Sequence, residues 1–140
     1  MRLGGVIMSW TILPCTWAPY LLGLLRVVAA LLFLQHGTAK LFGVPHVPMF
    51  DGLRLVSLTG AAGVIEFVGG LFLLVGFLTR PVAFVLAGEM AFAYFLGHAG
   101  KALLPIHNQG ELAVLYCFVF LFIASAGPGR FALDRESRSP

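Results

Sequence analysis

Five ionisable side chains stand inside long apolar runs of this 140-residue chain: Arg26, His36, Lys40, Glu66 and Glu89, with His98 at the far end of the third run. A charge at the centre of a bilayer costs about 3 kcal/mol or more, so each of these residues is a candidate for function. His36 and Lys40 are four apart and share one helix face. Together with the acid Glu66 they could serve a quinone or another lipid-soluble electron carrier. Such a ring needs a hydrogen-bond donor at a carbonyl and a proton donor nearby. Glu66, His36 and Lys40 are therefore the candidate catalytic residues and the candidate quinone contacts.

Each of these residues also has a plainer reading. Glu66 is flanked by Gly63, Gly69 and Gly70, which let another helix approach closely, so it could be a polar clamp at a packed interface. Lys40 could be an anchor whose ammonium snorkels to the membrane surface. At ~1.5 Å per residue, Arg26 lies about 9 Å and Glu89 about 12 Å from the same side of their spans, and Glu66 lies near the midplane. Matched depth predicts a structural ion pair between Arg26 and Glu89. Four histidines, His36, His46, His98 and His107, fall toward the other side without a fixed ligand spacing, so no metal site is expected. Cys15 and Cys117 form no C-x-x-C motif. The chain has no phosphate-binding loop, dinucleotide fingerprint or nucleophile elbow, hence no catalytic motif of its own.

The elements that must position these residues follow from composition. Charged residues are 11 % and apolar residues 59 %, with a mean hydropathy of +0.95. A soluble domain carries about 25 % charged residues and could not bury so much apolar surface at this size. Disorder needs low hydrophobicity, and two cysteines make no disulfide scaffold. An integral membrane protein remains. The net charge of +3 does not imply nucleic acid, because most of its nine Lys and Arg residues are spread singly along the chain.

Four stretches reach or approach the ~20 residues that span a bilayer: about Tyr20 to Phe42, Leu55 to Leu78, Pro81 to Gly97 and Leu112 to Ala126. None alternates with period two, so helices are the way to satisfy the backbone in lipid. Thr79-Arg80-Pro81 reads as a tight link, with Pro81 at a first helical position. Asn108-Gln109-Gly110-Glu111 suits the start of the fourth helix, and Gly127-Pro128-Gly129 stops it. The expected fold is an all-α, integral-membrane four-helix bundle over residues 20–127. Residues 1–19 read as an apolar interfacial segment with Trp10, Trp17 and Tyr20 at headgroup depth, and 128–140 as a polar cytoplasmic tail. The side that collects Arg2, Arg80, Arg130, Arg135 and Arg138 is expected to be cytoplasmic, so both termini are.

Three segments carry a family resemblance. LLRVVAALLFLQHGTAKLFG (Leu24–Gly43) ends in HGxxKLFG; GVIEFVGGLFLLVGFLTRPVA (Gly63–Ala83) holds E-x-x-G-G and a G-x-x-T-R turn; NQGELAVLYCFVFLFIASAGPGRFALDR (Asn108–Arg135) closes in GPG, an aromatic and LD. In that order they resemble the DoxX family of small four-helix bacterial membrane proteins, over about Leu22 to Asp134. The chain departs from the pattern in its apolar preface and at Phe131-Ala132, where an aromatic-serine pair is common. The resemblance implies an inner-membrane protein whose relatives include a membrane subunit of thiosulfate:quinone oxidoreductase and accessory proteins of redox or oxidative-stress systems. It also implies that Arg26, His36, Lys40, Glu66 and Glu89 are the residues in use. Expected partners are membrane lipids and a larger redox or photosynthetic membrane complex, and a homo-oligomer stays open. The rival class is a non-catalytic structural subunit packed on such a complex.

Overall fold

The computed structural model describes residues 12–134. Trp10, most of the N-terminal segment, Arg135 and Arg138 lie outside the described residues. Five helices follow in order: α1 (Ala18–Phe42), α2 (Leu58–Val75), α3 (Thr79–Gly97), the single turn α4 (Pro105–Asn108) and α5 (Glu111–Ala126). No strand occurs among the described residues. The helices α1, α2 and α3 are each long and apolar enough to cross a bilayer, and α5 is a shorter apolar helix of 16 residues. The all-helical membrane fold is as expected.

Local chemistry sets the ends of these helices. Pro19 stands in the first turn of α1, and Gly43, at φ 67°, closes its last turn in the left-handed region. Ser57 caps α2 by accepting from the Gly60 N–H, and Gly76 ends it at φ 67°. Helix α3 begins at Thr79, two residues before the expected Pro81. The reason lies far along the chain: the Asp134 carboxylate accepts from the N–H groups of Leu78 (2.9 Å) and Thr79 (2.7 Å), supplying a cap that no local side chain offers. Asn108 does not cap α5 directly. Its Oδ1 accepts from the Gly110 N–H while its Nδ2 donates to the Ala102 carbonyl, so it locks the α3–α5 connection.

Helices α1 and α2 form one extensive antiparallel pair and α3 and α5 another; α2–α3 is a lighter seam and α1–α5 the lightest. Small residues set the spacing. A Cβ on Gly37 would stand 2.6 Å from the Phe67 backbone nitrogen, so only glycine lets α1 and α2 meet there. Across α2 and α3, Gly69 makes room for Leu86. The buried core runs through Ala30, Phe33, Leu73, Leu86, Phe120 and Ile123. Outward-facing Leu24, Val28, Val68 and Phe84 are exposed, as lipid-facing positions are in a membrane helix.

Residues 128–134, expected to begin a polar tail, belong instead to the folded unit. The Arg130 N–H donates to the Pro19 carbonyl, Leu133 N–H to Val75 and Asp134 N–H to Gly76. Both described ends of the chain therefore lie at one end of the bundle, here called the terminal end. The other, where α1 hands over to α2, is the loop end.

Candidate functional site

The expected Arg26–Glu89 ion pair does not form. Arg26 is fully buried, and each of its five N–H donors meets a backbone carbonyl. Nε donates to Pro128 (2.9 Å), one terminal nitrogen to Leu73 and Leu74, and the other to Arg130 and Phe131. Helix α2 ends beside Arg26 with the Leu73 and Leu74 carbonyls of its last turn, and the folded-back 128–134 segment brings three more. Matched depth does not fix direction around a helix axis, and the carbonyls at the terminal end captured the guanidinium. Arg80 does similar work for α5, donating to the carbonyls of Ala124, Ser125 and Ala126.

Glu89 stands elsewhere. Since Gly69 packs on Leu86, one helical turn further along each antiparallel helix places Glu66 opposite Glu89. The charges of Glu66 and Lys40 are its electrostatic neighbours. Lys40 Nζ lies 2.5 Å from Glu66 Oε1, with Glu66 only 2 % exposed. That contact brings two of the three candidate residues together. His36 makes no hydrogen bond to either. Its Nδ1 lies 3.1 Å from the Leu32 carbonyl, and its ring faces Tyr116 at 6.4 Å between centroids.

Tyr116 joins these residues, although an aromatic in an apolar run gives no sign of it in the sequence. Gly110 at the start of α5 sits against Tyr94 of α3; moving inward along both helices brings Tyr116 to the level of Glu89. Gly37 against Phe67 puts Thr38 at the level of Glu66, with His36 and Lys40 about half a turn to either side of it. One polar layer therefore crosses the bundle, with Lys40 from α1, Glu66 from α2, Glu89 from α3 and the half-buried Tyr116 from α5, while His36 stands exposed at its rim. Phe33 and Phe120 border it, with Phe33 5.5 Å from the Tyr116 ring and 4.9 Å from Phe120. On the loop side, the Phe50 ring lies 5.6 Å from Lys40 Nζ. The signal for Glu66 facing Glu89 was present in the sequence. The two stand nearly equal distances from the α2–α3 turn, and a tight hairpin puts such positions side by side.

Three oxygens of this layer are buried without a hydrogen-bond partner: Glu66 Oε2 and both carboxylate oxygens of Glu89. Most buried polar groups in proteins are paired. The layer is thus an acceptor-rich site inside an apolar bundle, with one ammonium and adjoining aromatic rings. Among the described residues, no group of three or more His, Cys, Asp or Glu side chains could hold a metal ion.

Comparison with known proteins agrees with the fold. A model of the DoxX family matches residues 21–99. A protein of Haemophilus influenzae, named only as uncharacterized, is 46 % identical over 125 residues, covering 86 % of this chain and 92 % of its own. The inner membrane protein YqjF of Escherichia coli is 28 % identical, covering 79 % of this chain and 86 % of its own. Inner membrane protein YphA of Escherichia coli is 29 % identical, with 84 % and 91 % covered. No solved structure matches the chain. With the family model covering more than half of its length and a close relative covering most of it, this chain belongs to the DoxX family.

Proposed function

We propose that this protein is an inner-membrane redox accessory protein that receives the head group of a quinone-type carrier at the layer of His36, Lys40, Glu66, Glu89 and Tyr116. The observation that carries the reading is the set of three buried carboxylate oxygens without partners. Leaving a buried acceptor unsatisfied costs about 1–3 kcal/mol, a cost that a bound donor would remove. A bound head group with hydroxyls would supply the missing donors, and Phe33, Phe120 and Tyr116 offer rings beside it. The names of the two Escherichia coli relatives support placement in the inner membrane. The arginines at the terminal end support a cytoplasmic position for it. The chain brings no electron-carrying group of its own, so electrons would pass to or from a partner in a larger redox complex.

The test is photolabelling of the full-length protein in nanodiscs with a short-chain azidoquinone, followed by peptide mapping. Label concentrated on peptides holding Glu66, Glu89 and Tyr116, and reduced by Glu66→Gln, is the expected result. Even labelling of all lipid-facing surfaces, unchanged in a folded Glu66→Gln variant, would overturn the reading. Recovery of a stoichiometric membrane partner with such an unlabelled bundle would leave the structural-subunit role.

A further inference from the structure

We propose that Glu66 and Glu89 together form a proton-binding site, which carries one proton and exchanges it with the loop end of the bundle. The proposal goes beyond the quinone reading and stands apart from it, since it concerns the charge of the layer and not what the layer receives.

The balance of charge carries it. Lys40 brings one positive charge to the layer, and Glu66 and Glu89 bring two carboxyl groups. Lys40 Nζ is bonded to Glu66 Oε1, leaving Glu66 Oε2 and both Glu89 oxygens buried without a partner. The Tyr116 hydroxyl from α5 is polar but neutral, and Cys117 beside it packs against the apolar core. His36 on α1 stands exposed and bonds the Leu32 carbonyl. Arg26 is held by its five carbonyls at the terminal end. With both acids ionised, the layer would hold an excess negative charge inside an apolar bundle, and a buried group neutralises instead of keeping such a charge. Two carboxyl groups in one site meet this by retaining a proton, which belongs to the pair and not to either residue. One ammonium, one carboxylate and one carboxylic acid leave the layer neutral.

The two ends of the bundle close off this pair differently. Toward the terminal end stand Phe33, Leu73, Leu86 and Ile123, each at most 1 % exposed, with Arg26 behind them. Toward the loop end the cover is thinner. Lys40 stands two residues from the end of α1, yet it points inward. Its Cβ packs at Gly63 and its ammonium lies nearly a turn deeper, at Glu66, the reverse of snorkelling. Its side chain keeps 12 % exposure, and the half-buried Phe50 ring lies over it, 5.6 Å from Nζ. A proton therefore reaches the pair along Lys40 and past Phe50.

The experiment is infrared spectroscopy of the full-length protein in nanodiscs at about pH 7, where ordinary carboxyl groups are ionised. The expected result is a single protonated-carboxyl C=O band. It should vanish in Glu66→Gln and in Glu89→Gln, since either variant leaves Lys40 facing one carboxylate. Lys40→Met should double it, because the stranded Glu66 takes up a second proton. No band in the unsubstituted protein, or a band that survives either glutamine variant, overturns the proposal. Transfer to heavy water shifts the band, and Phe50→Ala should speed that shift several-fold; an unchanged rate overturns the loop-end route. Should the variants not fold, the unsubstituted protein still answers. Dicyclohexylcarbodiimide, which modifies protonated carboxyl groups in apolar surroundings, is expected to label Glu66 or Glu89 with sodium ions present or absent. Labelling confined to other carboxyl groups overturns the proposal, and so does protection by sodium, which would assign the pair to a metal cation. No quinone enters these measurements, so their outcome and that of the photolabelling are independent.

Discussion

Arg26 and Glu89 are both charged residues set within membrane helices, and the bundle treats them in opposite ways. Around Arg26 every donor has an acceptor, and those acceptors come from α2 and the 128–134 segment. Around Glu89 neither oxygen has a donor. The first arrangement is complete within the chain and ties three parts of it together. The second is complete only when something else is added. A buried charge in a membrane protein is thus not by itself a functional residue; the state of its hydrogen bonds distinguishes a fastener from a site.

Breaking the fastener should have the largest effect. Arg26→Met strips the donors from five carbonyls at the terminal end and should cost about 3–5 kcal/mol, the range for dismantling a buried charged network. Thermal unfolding in detergent reads this as a large fall in melting temperature. Arg26→Lys should recover only part of the loss, since an ammonium cannot reproduce the planar five-donor fork. Combining Arg26→Met with Glu89→Gln should give no rescue, because the two side chains do not meet. A double variant clearly more stable than Arg26→Met would restore the ion pair and undo the comparison.

The Lys40–Glu66 contact lies between the two extremes, with one oxygen paired and the other free. Lys40→Met should destabilise by about 3 kcal/mol because it strands a buried carboxylate. Adding Glu66→Gln should return much of that loss, with a coupling of about 1–3 kcal/mol in the double-mutant cycle. Additive losses would show that the ion pair contributes nothing specific.

How much of this was legible in the chain can be judged residue by residue. The spans were legible because a bilayer demands long apolar runs, whereas the ends of α2 at Ser57 and Gly76 fall inside the run Leu55 to Leu78 and were not marked by hydropathy. Lys40 and Glu66 were named as candidates from their types, and the structure joins them. The partners of Arg26 were not legible, because backbone carbonyls carry no signature in the sequence. Nor was the return of 128–134, whose polarity read as a tail although its main chain closes the bundle. Tyr116 was passed over because an aromatic in an apolar run looks like any core residue. Only the register across two hairpins brings it to the level of the acids.

Asp134 offers a test of that return segment by pH. Burial would raise its pKa, but the hydrogen bonds from Thr79 and Leu78 and the charge of Arg26 outweigh it and hold the carboxyl below its ordinary value. A carboxyl lowered in the folded state adds stability that is fully present above its unfolded value, about 4. That stability is lost as pH falls through the folded value. Asp134→Ala should therefore cost about 1 kcal/mol at neutral pH, as for the loss of a helix cap. The gap from the unsubstituted protein should close below about pH 4. A gap that stays constant with pH would mean that the ionised form of the carboxylate is not what holds α3.

The smallest effect on stability is expected at Glu89, and it sharpens the comparison most. Its oxygens make no hydrogen bond, so removing them takes away no contact within the chain. Replacing unsatisfied buried polar atoms by apolar ones of similar shape is neutral or stabilising. Glu89→Met should therefore unfold within about 0.5 kcal/mol of the unsubstituted protein, or at a higher temperature. The same variant should lose azidoquinone labelling of the layer, because the acceptors that hold the head group are gone. Unchanged stability with lost labelling separates a residue kept for a ligand from one kept for the fold. A fall in stability as large as that of Arg26→Met would place Glu89 among the fasteners instead, and the contrast between the two residues would disappear.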